Sequence, residues 1–153
     1  MKKKIVITGG LGYIGTELCK IYSGESWNNK IIVIDKNFFS DRVNQLRNWR
    51  MKFVQGDILD KEFIQNQIKD ADIVHHLAGI TDVAYVKKDE NKERDDLIKA
   101  TAIDGTQNIL DAMNKDAKII LQSFFTASII FCVPSIAVAF IKSSLSLFSS
   151  FFT

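Results

Sequence analysis

Three glycines, Gly9, Gly12 and Gly15, recur at intervals of three in "ITGGLGYIGTEL", after an apolar run and ahead of an amphipathic one. Glycines at such a junction suit anion binding by the main chain. A helix N-terminus presents N–H groups without intrahelical partners, and its dipole adds about half a positive charge. A phosphate placed there needs no charged side chain. Gly9 permits a tight turn, Gly12 lets a diphosphate approach the backbone, and Gly15 allows the helix to pack closely on the strand. Tyr13 and Ile14 complete the loop between the last two glycines. Twenty residues beyond Gly15, "KIIVID" ends on Asp35. A carboxylate there can accept two hydrogen bonds from an adenosine ribose diol. Its charge repels a 2′-phosphate, so NAD is preferred over NADP, with Lys36 beside it pulling the other way.

The other chemistry-bearing residues make no second constellation. Cys19 and Cys132 lack metal-ligand spacing, and Cys19 falls on the inward side of a helical pattern, so it reads as a free core thiol. His75 and His76 are neighbours on a strand and point to opposite faces, which suits packing or strand-end residues better than ligands. No Ser/His/Asp set and no metal site emerges.

These residues need elements to position them. "KKIVIT" and "KIIVID" read as buried strands, as do "MKFVQGD", "DIVHHLA" from Asp72 to Ala78, and "AKIIL" from Ala117 to Leu121. Between them the spacing predicts helices over about 13–23 (Ile14, Leu18 and Ile21 inward), 41–49, and "DKEFIQNQIKD" with an Asp cap. A longer helix is predicted over about 93–114, with Leu97, Ala100, Ile103, Ile109, Leu110 and Met113 on its apolar side. Strands alternating with helices argue an α/β fold, a doubly wound parallel sheet of at least five strands in the order 3-2-1-4-5. Near-continuous apolar strands fit such a sheet, because helices cover both of its faces.

With these motifs in place, the sequence resembles the extended short-chain dehydrogenase/reductase family, the NAD-dependent nucleotide-sugar epimerases and dehydratases. "TGGLGYIG" is similar to that family's TGxxGxxG signature, "GDILD" to its third-strand motif, "HHLAG" to its fourth-strand motif, and "IDGTQNIL" to its VxGTxNLL helix. The resemblance implies a Rossmann-like NAD-binding fold. It implies that Asp57 and Ile58 line the adenine pocket. Leu77, Ala78 and Gly79 would pass beside the phosphates and nicotinamide ribose, and Gly105 and Thr106 would bring a helix close to the sheet. A nucleotide-sugar substrate is implied on the same ground. Two departures stand out. Ala102 occupies the place of a family Asn that organises the active site. The family's Tyr-x-x-x-Lys proton donor has no counterpart, since Tyr13, Tyr22 and Tyr85 are the only tyrosines and none has Lys four residues on. The C-terminal substrate lobe of the family also does not fit within 153 residues.

Composition divides the chain. Residues 1–121 carry all but one of the charged side chains, whereas residues 122–153 carry Lys142 alone and hold eight of eleven serines and seven of eleven phenylalanines. The expectation is a dinucleotide-binding domain over 1–121 and an atypical Ser/Phe-rich apolar tail over 122–153. Truncation or a change of reading frame near Leu121 is the favoured origin of that tail, ahead of a core strand and helix, and ahead of a membrane anchor. The net charge of +2 gives no case for a nucleic-acid partner. No signal peptide is evident at the N-terminus, and free thiols fit a reducing compartment, so the cytoplasm is the expected setting.

Overall fold

The computed structural model describes residues 2–80 and 92–121. Five strands, β1 (Lys4–Thr8), β2 (Lys30–Asp35), β3 (Lys52–Gln55), β4 (Ile73–His76) and β5 (Lys118–Leu121), form one parallel sheet in the order β3-β2-β1-β4-β5. Helices α1 (Tyr13–Tyr22), α2 (Ser40–Asn48), α3 (Lys61–Ile68) and α4 (Lys92–Ala112) supply the crossovers. Strand order and alternation match the expectation from sequence.

The two sides of the sheet carry separate cores. Ile5 and Ile7 of β1, with Ile31 and Val33 of β2, pack against Leu11, Cys19, Val43 and Leu46 on the α1/α2 side. Val6, Ile32, Ile34 and Val74 pack against Ile64, Ile68 and Ile109 on the α3/α4 side. Successive side chains of one strand therefore enter opposite cores, and the central strands have no solvated face. β4 ends at His76, sooner than its apolar run, because its neighbour β1 ends at Thr8. The last link between them is Leu77 N–H donating to Thr8 O at 3.0 Å. From there the chain leaves the sheet at the C-terminal edge, where the glycine loop also lies.

Two helices are rotated from the phase the apolar spacing predicts. On α1 the buried positions are Gly15 and Cys19, while Ile14 is exposed and Ile21 is 75% exposed. On α4 the buried line runs through Thr101, Gly105, Ile109 and Ala112, whereas Leu97 and Leu110 are exposed. Both helices bury glycine where they meet neighbouring backbone or side chains, Gly15 against the glycine loop and Gly105 against Ile58. Cys19 is a buried free thiol as expected, and burial pushes its pKa up to about 12.

Candidate functional site

The glycine loop bridges the end of β1 and the start of α1. Gly9 has a left-handed backbone (φ +69°), and a Cβ there would lie 2.6 Å from Ala78 N and Cα. Its N–H donates to Ile34 O at 2.8 Å, which ties the loop to β2. Gly15 faces the loop itself and not the strand expected from sequence, since an added Cβ would lie 2.4 Å from Gly9 O and 2.6 Å from Gly10 Cα. These two glycines are required by the protein's own backbone. Gly12 differs. Its backbone (φ −69°, ψ 175°) suits any residue, and among the described residues the only atom within 4 Å of an added Cβ is Gly9 O, at 3.1 Å.

Gly12 is also the N-cap of α1, and it offers no side chain to the N–H groups of the first turn. That turn contains no acidic residue either. The N-terminus of α3 shows the contrast, because Asp60 caps it by accepting from Phe63 N–H at 2.9 Å. Helix geometry leaves the first-turn donors of α1 for something outside the helix. Tyr13 (85% exposed) and Ile14 leave this approach open to solvent.

Asp35 stands at the loop, as the spacing predicts. Its carboxylate accepts from Leu11 N–H and from Asn37 N–H, each at 3.0 Å. Each oxygen keeps lone-pair capacity for a further donor. The other end of the same residue is held too, with Arg42 of α2 donating to Leu11 O. Asp35 and Arg42 thus grip residue 11 by its N–H and its carbonyl. The sequence reading missed Arg42.

Asp57 begins the turn after β3. Its Oδ1 accepts from Leu59 N–H at 3.0 Å, and its carbonyl accepts from Asp60 N–H at 3.2 Å. The side chain of Ile58 is buried in the α3/α4 core. Gly105 belongs to the same contact. A Cβ on it would lie 2.4 Å from Ile58 Cδ1, so α4 approaches this turn and not simply the sheet. Leu77, Ala78 and Gly79 follow β4 directly, half-buried, with Ala78 against Gly9. The fold brings the ends of β1, β2, β3 and β4, and with them every residue expected at the cofactor, to one edge of the sheet.

Beneath that edge runs a chain of hydrogen bonds that the sequence reading also missed. Thr106 Oγ1 donates to Ala102 O at 2.7 Å, so it accepts from His76 Nε2 at 3.1 Å. The remaining ring nitrogen, Nδ1, then accepts from Thr8 Oγ1 at 2.8 Å. Burial pushes the His76 pKa down to about 4, which agrees with this neutral tautomer. His75, on the opposite face as expected, is hydrogen-bonded to the Tyr22 hydroxyl at 2.8 Å, and burial lowers its pKa. Tyr22 is thereby occupied far from the glycine loop's donors. Tyr85 lies outside the described residues, as do Cys132 and the whole of 122–153. Among the described residues no His/Cys/Asp/Glu group could hold a metal ion, and no helix is long and apolar enough to cross a membrane.

Residues 6–136 match the model of the 3-beta hydroxysteroid dehydrogenase/isomerase family, a span that runs past Leu121. A dTDP-D-glucose 4,6-dehydratase of Dictyostelium discoideum is 40% identical over 53% of this chain and 20% of its own length. A UDP-N-acetyl-alpha-D-glucosaminuronate decarboxylase of Bacillus cytotoxicus is 32% identical over 77% of this chain and 35% of its own. Among solved structures, a UDP-glucose-4-epimerase from Stenotrophomonas maltophila with bound NAD and formylated UDP-arabinopyranose superposes with a TM-score of 0.63 at 21% identity. It covers 78% of this chain and 36% of that one. A dTDP-glucose 4,6-dehydratase from Bacillus anthracis in complex with NAD gives 0.59 at 23% identity, covering the same shares. The chain spans between a fifth and about a third of the curated relatives it matches.

Proposed function

Because the chain belongs to the 3-beta hydroxysteroid dehydrogenase/isomerase family, we propose that its described residues form the cofactor half of a nucleotide-sugar epimerase or dehydratase, with NAD across the β1–α1 loop. Several curated relatives are named for sugar nucleotides, which favours that substrate class over a steroid. The diphosphate sits against the first-turn amides of α1, from Tyr13 to Gly15, where the N-cap offers no side chain. Asp35 takes the adenosine ribose. Asp57 and the Ile58 main chain border the adenine, and Leu77, Ala78 and Gly79 flank the nicotinamide ribose. NAD supplies the hydride acceptor for oxidation of a sugar carbon. The chain's own residues bind and orient it, and the Thr8–His76–Thr106 bonds hold β1, β4 and α4 in register beneath it. A buried free cysteine is compatible with a cytoplasmic setting.

The observation that carries this reading is Gly12. Packing among the described residues accounts for glycine at positions 9 and 15 and does not account for it at 12. A ligand pressed against the helix N-terminus does. Calorimetric titration with NAD and NADP tests the assignment, with NAD binding the tighter; equal or tighter NADP binding removes the role given to Asp35.

A second reading has its own support. The sequence has Ala102 at the family's active-site Asn position. A dinucleotide-binding module without turnover fits that departure. Incubation with NAD and dTDP-glucose or a UDP-hexose separates the two, since the enzyme reading requires product and the module reading requires bound NAD without product.

A further inference from the structure

We propose that Asn108 is a positioning residue for the adenine half of the cofactor, acting from α4 on the turn Asp57–Leu59. This rests on the reading above that the turn borders the adenine. Asn108 Nδ2 donates to Ile58 O at 3.0 Å and to Leu59 O at 3.3 Å. Both partners are carbonyls and can only accept, so the amide must present its nitrogen, and both of its protons are spent on consecutive residues of one turn. The same turn is tied from within by Leu59 N–H on Asp57 Oδ1. Fixing the Leu59 peptide therefore fixes the direction of the Asp57 carboxylate.

The clamp depends on how near α4 comes. Gly105, three residues before Asn108, lets the helix settle on Ile58 with no room for a Cβ. At the far end, Lys61 and Asp111 pair at 3.0 Å, joining the start of α3 to the last turn of α4. The turn between β3 and α3 is thus held from α4 by the side chain of Asn108 and by the missing side chain of Gly105. The hydrogen bonds of Asn108 run to the turn that follows β3, so the effect belongs to one half of the dinucleotide.

Asn108→Asp keeps the shape and exchanges two donors for a carboxylate facing two carbonyl oxygens. Two measurements on the full chain test the proposal. In the absence of any cofactor, the Leu59 amide should exchange with solvent about tenfold faster in the variant, as expected for loss of the order of one net hydrogen bond. AMP should bind about tenfold more weakly, while nicotinamide mononucleotide binds as before. Unchanged Leu59 exchange overturns the clamp, and a parallel loss for both mononucleotides overturns its confinement to the adenine half. If the unmutated chain binds no AMP although Leu59 exchange is still accelerated in the variant, the cofactor reading fails and Asn108 is a clamp of the fold alone. Asn108→Ala, which deletes the donors without adding charge, carries the same expectations should the Asp variant not fold.

Discussion

Gly9→Ala and Gly12→Ala should differ in kind. At Gly9 the backbone is left-handed, which costs an L-residue about 1–2 kcal/mol. The new methyl would also stand 2.6 Å from Ala78 N and Cα and 2.7 Å from Leu77 C. Those are main-chain atoms that cannot rotate away, and relieving such overpacking costs about 1–3 kcal/mol more. The expected loss of about 2–5 kcal/mol is a large part of the ~5–15 kcal/mol that holds a domain together. At Gly12 the backbone is ordinary and the one neighbour, Gly9 O at 3.1 Å, needs to yield only slightly. Alanine is a poorer N-cap than glycine, and the total change should stay within about 1 kcal/mol. Urea unfolding followed by circular dichroism reads the first quantity, and calorimetric titration with NAD reads the second. Gly12→Ala should unfold near the parent's midpoint yet bind NAD at least about tenfold more weakly, a cost of about 1.4 kcal/mol. Gly12→Val should abolish binding with the far-UV spectrum intact. Parental NAD affinity in Gly12→Ala refutes the phosphate-loop assignment. A Gly9→Ala variant as stable as the parent refutes the backbone contact on which the loop's shape is argued.

Three further outcomes are expected. His76 binds its proton near pH 4 when folded and near 6.5 when unfolded, so the unfolded chain takes up more protons between those values and stability falls as pH drops through them. The loss should approach about 3 kcal/mol and be absent above pH 6.5; urea midpoints at several pH values should show it, and His76→Asn should flatten the slope. Asp35→Asn retains one acceptor and removes the charge, so NAD should weaken by about 1–3 kcal/mol in titration, with the discrimination against NADP reduced. Asp60→Ala removes the cap on Phe63 N–H and should lower the unfolding free energy by about 1 kcal/mol, while NAD affinity is unchanged.

The parts of this molecule that were legible in its sequence share a physical character. β1 and β2 are buried on both faces, so their apolar runs announced strands and their alternation with helices announced the sheet order. The glycine loop was legible because the requirement at Gly9 and Gly15 is negative: neighbouring backbone forbids a Cβ, and glycine is the one residue that satisfies the prohibition. Helix phase was legible on α3, where Ile64 and Ile68 are buried, and only in part on α1 and α4. Hydrophobic spacing ranks residues by apolar bulk, whereas close contact selects residues that fit, so Gly15 is buried beside the expected Cys19 on α1 while Ile14 and Ile21 are exposed, and Thr101 and Gly105 are buried on α4 while Leu97 is exposed.

The polar ties were hidden for a different reason. Asn108 meets a carbonyl 50 residues away, Arg42 meets one 31 away, and Thr8 meets His76 across 68. Each partner is unremarked in its own neighbourhood, because an amide, a guanidinium or a hydroxyl has no local pattern that names its acceptor. Such pairs become readable only after the strand order has placed the ends of β1, β3 and β4 at one edge. Asn108 was in plain view inside "IDGTQNIL", but that motif suggested only close helix packing. The closeness is the prior condition and the amide clamp its consequence: a Cβ on Gly105 would lie 2.4 Å from Ile58 Cδ1, so either that side chain or the helix that carries Asn108 must shift. Gly105→Ala should therefore loosen the Leu59 amide as Asn108→Asp does, and combining the two should add less than the sum of their separate effects.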